Sequence, residues 1–327
     1  MPVRSKLLVL VTTTLYFFIA SGCLPTSESG GISSLSKNFS ISEISPTLHL
    51  PTATLLPDPT VLPALPSQIS MGQLPAPLPE TPQTLTPTPV SCLQGNGEII
   101  NREIPSTFLK QPLKVRIYLP PCFSTTPAQP YPLLILLHGS IFTDDQWDRL
   151  GIDETSDRLI AGDSIKPLMI VMPYEEQTLA NPYQPGFGPA LTDEMIPWLE
   201  KEYPVCSERA CRAIGGISRG AAWAVHLGFT QWQLFESIGG HSLPPFWGDL
   251  NNLPIWLSSI PKNERPRVFL DVGINDSYRQ PAAQFEQFLT DNNIAHEWYV
   301  YNGSHDETYW ASHIEQYLLW YSSAWEK

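Results

Sequence analysis

The chain has 327 residues, 34 of them proline, with a formal net charge of −13. No basic stripe or patch offsets that acidity, which weighs against a nucleic-acid or polyanion partner. Apolar residues make up 42% of the chain and the prolines crowd toward its first third, so a tether and a globular part are expected.

Taken in order, Met1 to Gly22 carries Arg4 and Lys6, an apolar run from Leu7 to Ala20, and then Ser21-Gly22-Cys23. The run is short for a membrane span and ends in small residues, the pattern of an export signal. Cysteine directly after such residues resembles the bacterial lipobox, although Ala20 stands where leucine is usual. The expectation is a cell-surface lipoprotein anchored through Cys23, the alternative being an ordinary cleaved signal with an incidental cysteine. Loss of Arg4 and Lys6 with the signal takes the formal charge from −13 to −15. Residues 23–91 are rich in Pro, Ser and Thr, as in Thr86-Pro87-Thr88-Pro89. Proline removes backbone donors and fixes φ, so this stretch reads as a disordered tether with a reach of roughly 45 Å.

Residues 92–327 have the composition of one domain. Strands are expected at Leu113–Leu119, Leu133–Leu137, Leu168–Met172, Ala213–Ile217, Ser237–Gly239, Arg267–Asp271 and Glu297–Tyr301. Helices are expected at Asp153–Ala161, Ala190–Glu202, Gly220–Thr230, Ala282–Asn292 and Tyr309–Ala324. Strands separated by helix-length segments imply an α/β class: a mostly parallel central sheet flanked by helices on both faces. Besides Cys23 there are four cysteines, Cys92, Cys122, Cys206 and Cys211, an even number in an exported chain. Two disulfides with three possible connectivities follow, with pairing inside each neighbouring set favoured. No metal site is expected, because no C-x-x-C or matching histidine spacing appears.

The string Gly216-Ile217-Ser218-Arg219-Gly220 lies where a strand-like run gives way to a small-residue helical run. A serine between glycines at such a corner is a nucleophile elbow, which lifts the hydroxyl above the sheet. Downstream stand Gly273-Ile274-Asn275-Asp276 and then Gly303-Ser304-His305, each after a hydrophobic strand. Serine, acid, histidine is the chain order of an α/β-hydrolase. Ser218 needs a base, and His305 can take its proton and return it to a leaving alcohol. Asp276 and Asp271 compete as the acid that orients His305. Asp276 is preferred because sites in open α/β sheets lie beyond the carboxyl ends of the strands. The oxyanion hole is assigned to the backbone N–H groups of Arg219 and of Ser140, the latter in the His138-Gly139-Ser140 turn. His138 reads as a structural hydrogen-bonder, and His226 and His241 as core or loop histidines. The aromatic segments Tyr174–Gly188 and Ser242–Trp256 are expected at the pocket rim.

Together with Val115-Arg116-Ile117-Tyr118-Leu119-Pro120-Pro121, His138-Gly139 with Trp147, Ile170-Val171-Met172-Pro173 and Trp310, these motifs resemble the esterase D / feruloyl esterase group of α/β-hydrolases. Enterochelin esterases, S-formylglutathione hydrolases and mycolyltransferases belong to the same group. The resemblance runs from about Gly95 to Trp325. It implies Ser218, Asp276 and His305 as a triad, cofactor-free hydrolysis of carboxylic esters, and acetyl- or feruloyl-type substrates, small or linked to polysaccharide. Ala221-Ala222 departs from the pattern, since many relatives have a further glycine there. The anchor and the cysteine pairs weigh against a cytosolic glutathione-thioester role. Acyl transfer by the same three residues, or an idle surface-binding lipoprotein, are the alternatives.

Overall fold

A computed structural model describes residues 92–325. The expected signal segment, the expected lipid-anchor residue Cys23 and the Pro-rich stretch lie outside the described residues. Eight strands, β1 (Glu98–Ile104), β2 (Leu113–Leu119), β3 (Leu133–Leu137), β4 (Met169–Pro173), β5 (Arg212–Ile217), β6 (Ser237–His241), β7 (Arg267–Gly273) and β8 (Glu297–Tyr301), form one sheet in the order β1-β2-β4-β3-β5-β6-β7-β8. From β4 to β8 every pairing is parallel, while β1 and β2 join antiparallel at one edge. This is the α/β-hydrolase architecture.

The central strands are buried along their whole length, which is why they read as continuous apolar runs. Alternate residues of β3 serve different cores. Leu133, Ile135 and Leu137 join one cluster, and Leu134 and Leu136 the other. Helices α1 (Gln146–Arg149) and α2 (Ile152–Ala161) supply residues to the second of these cores. The first core takes a short turn α3 (Phe187–Pro189), which runs through a π-helical stretch at Ala190–Met195 into α4 (Ile196–Glu202). It also takes α5 (Arg219–Thr230), α6 (Asp249–Ser259) and α7 (Arg279–Asp291), whereas α8 (Glu307–Ala311) and α9 (Ile314–Ser322) return to the second.

Several elements differ from the sequence reading, α1 and α3 among them, which it did not expect. Strand β1 is a half-exposed edge strand, so its sequence EIINREI lacks a hydrophobic run. Helix α6 carries Pro254 inside it, a residue that reads as a breaker. The stretch read as one helix over Ala190–Glu202 winds wider over its first half, and the C-terminal helix is broken between Ala311 and Ile314. Cys92 pairs with Cys122 and Cys206 with Cys211, with Cα–Cα separations of 5.4 and 6.2 Å.

Candidate active site

The elbow is built by contact. A Cβ on Gly216 would lie 2.2 Å from the carbonyl carbon of Gly220, and one on Gly220 would lie 2.1 Å from the Leu137 carbonyl oxygen. Both are backbone collisions, so only glycine lets α5 start this close to the ends of β3 and β5. Between them Ser218 adopts φ 55° and ψ −119°, a strained backbone for an L side chain. Its N–H donates to the His241 carbonyl at 2.9 Å, which pins the corner to β6.

Three of the sequence-selected residues converge here. The Ser218 Oγ lies 2.9 Å from His305 Nε2, and His305 Nδ1 lies 3.0 Å from both carboxylate oxygens of Asp276. His305 stands in the loop after β8, just past Gly303, whose φ of 145° and close approach to the Tyr309 ring admit no side chain. The Trp310 ring meets the imidazole edge-on at 5.0 Å and the Tyr278 ring at 4.8 Å. Asp276 has a fully buried side chain. Burial alone would raise its carboxyl, but hydrogen bonds from His305, the Tyr278 N–H and the Ser242 hydroxyl outweigh that and hold it below the ordinary aspartate value.

The competing acid goes elsewhere. Asp271 accepts from His241 at 2.6 Å, Tyr309 at 2.6 Å and Tyr317 at 2.8 Å, while His241 Nε2 meets the Tyr321 hydroxyl at 3.0 Å. This closed, fully buried network supports the elbow from below. It needs bare backbone above it: a Cβ on Gly215 or Gly239, paired neighbours in β5 and β6, would strike the Tyr321 hydroxyl at 1.8 or 1.7 Å.

Arg219 begins α5, where first-turn N–H groups have no intrahelical acceptor. Ser140 is exposed in the turn after β3, next to Gly139. The two aromatic segments expected at the rim both reach the Arg219 side chain. Glu175 and the Ala180 carbonyl bind its guanidinium, which also lies over the Phe246 ring at 5.2 Å. Tyr183 donates to Asp249 at 2.5 Å and so ties one segment to the other. His226 shares Asp249 at 3.1 Å and is surrounded by the rings of Tyr183, Trp223, Phe246 and Trp256.

Sequence reasoning missed Ser242. It is buried, has φ 56°, accepts from the Trp310 indole at 2.9 Å and hydrogen-bonds to Asp276. No motif marks it; its position just after β6 is the one available signal. Ser242→Ala and Ser242→Gly are both expected to lower kcat about tenfold, the effect of one lost hydrogen bond to a charged group. The glycine variant should be about 1 kcal/mol more stable than the alanine one, because it relieves the positive φ. Native kcat in both variants would show that the hydroxyl contributes nothing at Asp276.

The sequence matches the Esterase family, described as "Putative esterase", over residues 106–321. A curated esterase of Mycobacterium tuberculosis, Esterase Rv1288, is 31% identical over 139 residues, which span 40% of this chain and 29% of that protein. The match thus spans less than a third of that relative. A ferulic acid esterase superposes with a TM-score of 0.62 at 22% identity, covering 70% of this chain and 99% of the other. The ferulic acid esterase of Anaeromyces mucronatus, solved with ferulic acid, gives a TM-score of 0.56 at 20% identity over 71% and 93%. The match over residues 106–321 places this chain in the Esterase family, and its sheet order is that of the α/β-hydrolase fold.

Proposed function

We propose that the protein is an exported carboxylesterase acting through Ser218, His305 and Asp276 by way of an acyl-enzyme. Ser218 Oγ attacks the ester carbonyl as its proton passes to His305 Nε2, and the tetrahedral oxyanion is met by the Arg219 and Ser140 N–H groups. His305 then gives that proton to the leaving alkoxide, and the ester C–O bond breaks. Water, deprotonated by the same imidazole, attacks the acyl-enzyme, and the carboxylic acid leaves as Ser218 regains its proton. Asp276 holds the Nδ1–H tautomer and stabilises the imidazolium formed in each half-reaction. The observation that carries this reading is the 2.9 Å contact between Ser218 and His305 together with the 3.0 Å contacts from His305 to Asp276.

Acetyl- or feruloyl-type acyl groups, free or on a polysaccharide, are the proposed substrates. Tyr183, Phe246 and the 93%-exposed Trp247 support this, as flat rings on the segments that meet at Arg219. Export is supported by two disulfides, which persist outside a reducing cytoplasm. A lipid anchor on Cys23 would then hold the domain at the cell surface. A fluorophosphonate probe tests the assignment. It is expected to label one residue per chain, recovered on the peptide carrying Ser218, with p-nitrophenyl acetate turned over without added cofactor. Labelling elsewhere, or none with an intact fold, would end the reading.

A further inference from the structure

Gly139 stands against the nucleophile, since a Cβ built on it would lie 3.6 Å from the Ser218 Cβ. The peptide joining Gly139 to Ser140 therefore flanks the place where an ester carbonyl would be attacked. An oxyanion donor is useful only if its N–H is aimed at the charge that develops there. In a planar trans peptide the C=O and N–H point in opposite directions, and no cis bond occurs among the described residues. Whatever holds the Gly139 carbonyl thus aims the Ser140 N–H.

Two donors hold that carbonyl, the Phe142 N–H at 3.1 Å and His138 Nδ1 at 2.8 Å. The state of the imidazole follows from its partners. Nε2 lies 2.9 Å from the Glu175 backbone N–H, which can only donate, so Nε2 accepts. The Gly139 carbonyl can only accept, so Nδ1 carries the proton. His138 is therefore a neutral ring with one donor and one acceptor, both in use. Its burial agrees, pushing it below the ordinary imidazole value against the opposing pull of the Gly139 carbonyl, Glu175, Asp144 and Asp145.

The path continues through Glu175. Its buried carboxylate grips the Arg219 guanidinium in bidentate fashion at 2.6 and 2.7 Å. Arg219 also owns the backbone N–H assigned as the other oxyanion donor. A continuous set of contacts, Arg219 to Glu175 to His138 to Gly139, thus joins the two donor peptides across the nucleophile.

We propose that the His138, Glu175 and Arg219 side chains form one positioning relay that aims the Ser140 and Arg219 N–H groups at a common point beside Ser218. The proposal rests on the serine esterase reading. The three side chains act through the backbone and not on the substrate.

Steady-state kinetics on p-nitrophenyl acetate with two histidine replacements tests it. In His138→Asn the amide nitrogen takes the place of Nδ1 and keeps a donor on the Gly139 carbonyl, so kcat stays within about tenfold of native. In His138→Gln the polar end takes the place of Nε2, which keeps a partner for the Glu175 N–H and abandons the carbonyl. There kcat falls about 10²-fold with KM nearly unchanged, the mark of a lost oxyanion donor. Glu175→Gln, which spares the His138 contact but loosens Arg219, should lower kcat about tenfold, again at constant KM. A ring that merely packs would tolerate glutamine at least as well as asparagine. Native kcat in His138→Gln, equal kcat losses in the two variants, or losses confined to KM would overturn the relay while Ser218-dependent turnover left the esterase reading standing. Absence of Ser218-dependent turnover in the native protein would overturn both.

Discussion

Replacing Ser218 with alanine is expected to lower kcat for p-nitrophenyl acetate by a factor on the order of 10⁵–10⁶, with the fold unchanged. The Ser218 hydroxyl has a 2.9 Å hydrogen bond to His305, and alanine keeps the Cβ that stands against Gly139. Its backbone, at φ 55°, is already held by the His241 carbonyl and by the glycine contacts. Alanine meets the same backbone demand as serine, so thermal stability should move by less than about 1 kcal/mol. The measurements are initial rates, fluorophosphonate labelling and a thermal midpoint on the same preparation. A small residual rate above hydroxide-driven hydrolysis is compatible with the reading, because aimed N–H donors still stabilise an oxyanion without the nucleophile. Turnover within tenfold of native would rule Ser218 out.

Asp276→Asn should lower kcat about 10⁴-fold, the loss expected when the histidine is held in the wrong tautomer. An asparagine amide facing Nδ1 donates where the carboxylate accepted, so the proton moves to Nε2 and points at the Ser218 hydroxyl. The base is then blocked although its geometry is intact. The same variant separates catalysis from stability through pH. The Asp276 carboxyl is held below its ordinary value of 3.8 in the fold, so the native state favours its ionised form. That contribution is present in full above the ordinary aspartate value and is lost as pH falls through the depressed one. Acid unfolding of the native chain should therefore steepen in that window, and Asp276→Asn should flatten the curve there. An unchanged acid curve would mean that the carboxylate gains nothing from His305, Tyr278 and Ser242. Asp271→Asn offers a contrast: its partners are His241, Tyr309 and Tyr317, so its loss should fall first on folding.

Much of the candidate site is legible in the sequence, because an α/β-hydrolase site is written in local signals. A serine between two glycines at a strand-to-helix corner, an aspartate beyond one strand and a histidine beyond the next specify chain order. The parallel sheet then carries those strand ends to one edge. The preference for Asp276 over Asp271 came from the same logic, and the two carboxylates do face different histidines. Elements with weak local signals were not legible. Strand β1 is polar because only one neighbour covers it, and α6 keeps its proline because packing outweighs propensity.

Composition and local order gave the α/β class, pointed to Ser218 and His305 as candidate nucleophile and base, and favoured, among three possible connectivities, cysteine pairing within neighbouring sets. Those features depend on residues near one another in the chain, or on strand order that a parallel sheet enforces. Only the tertiary structure decided that Ser242 meets Asp276, that Tyr321 fills the space left by Gly215 and Gly239, and that the His138 ring bridges the Gly139 carbonyl and the Glu175 N–H. Each of these joins segments far apart in sequence, through a single hydrogen bond or a close approach that leaves no periodic trace.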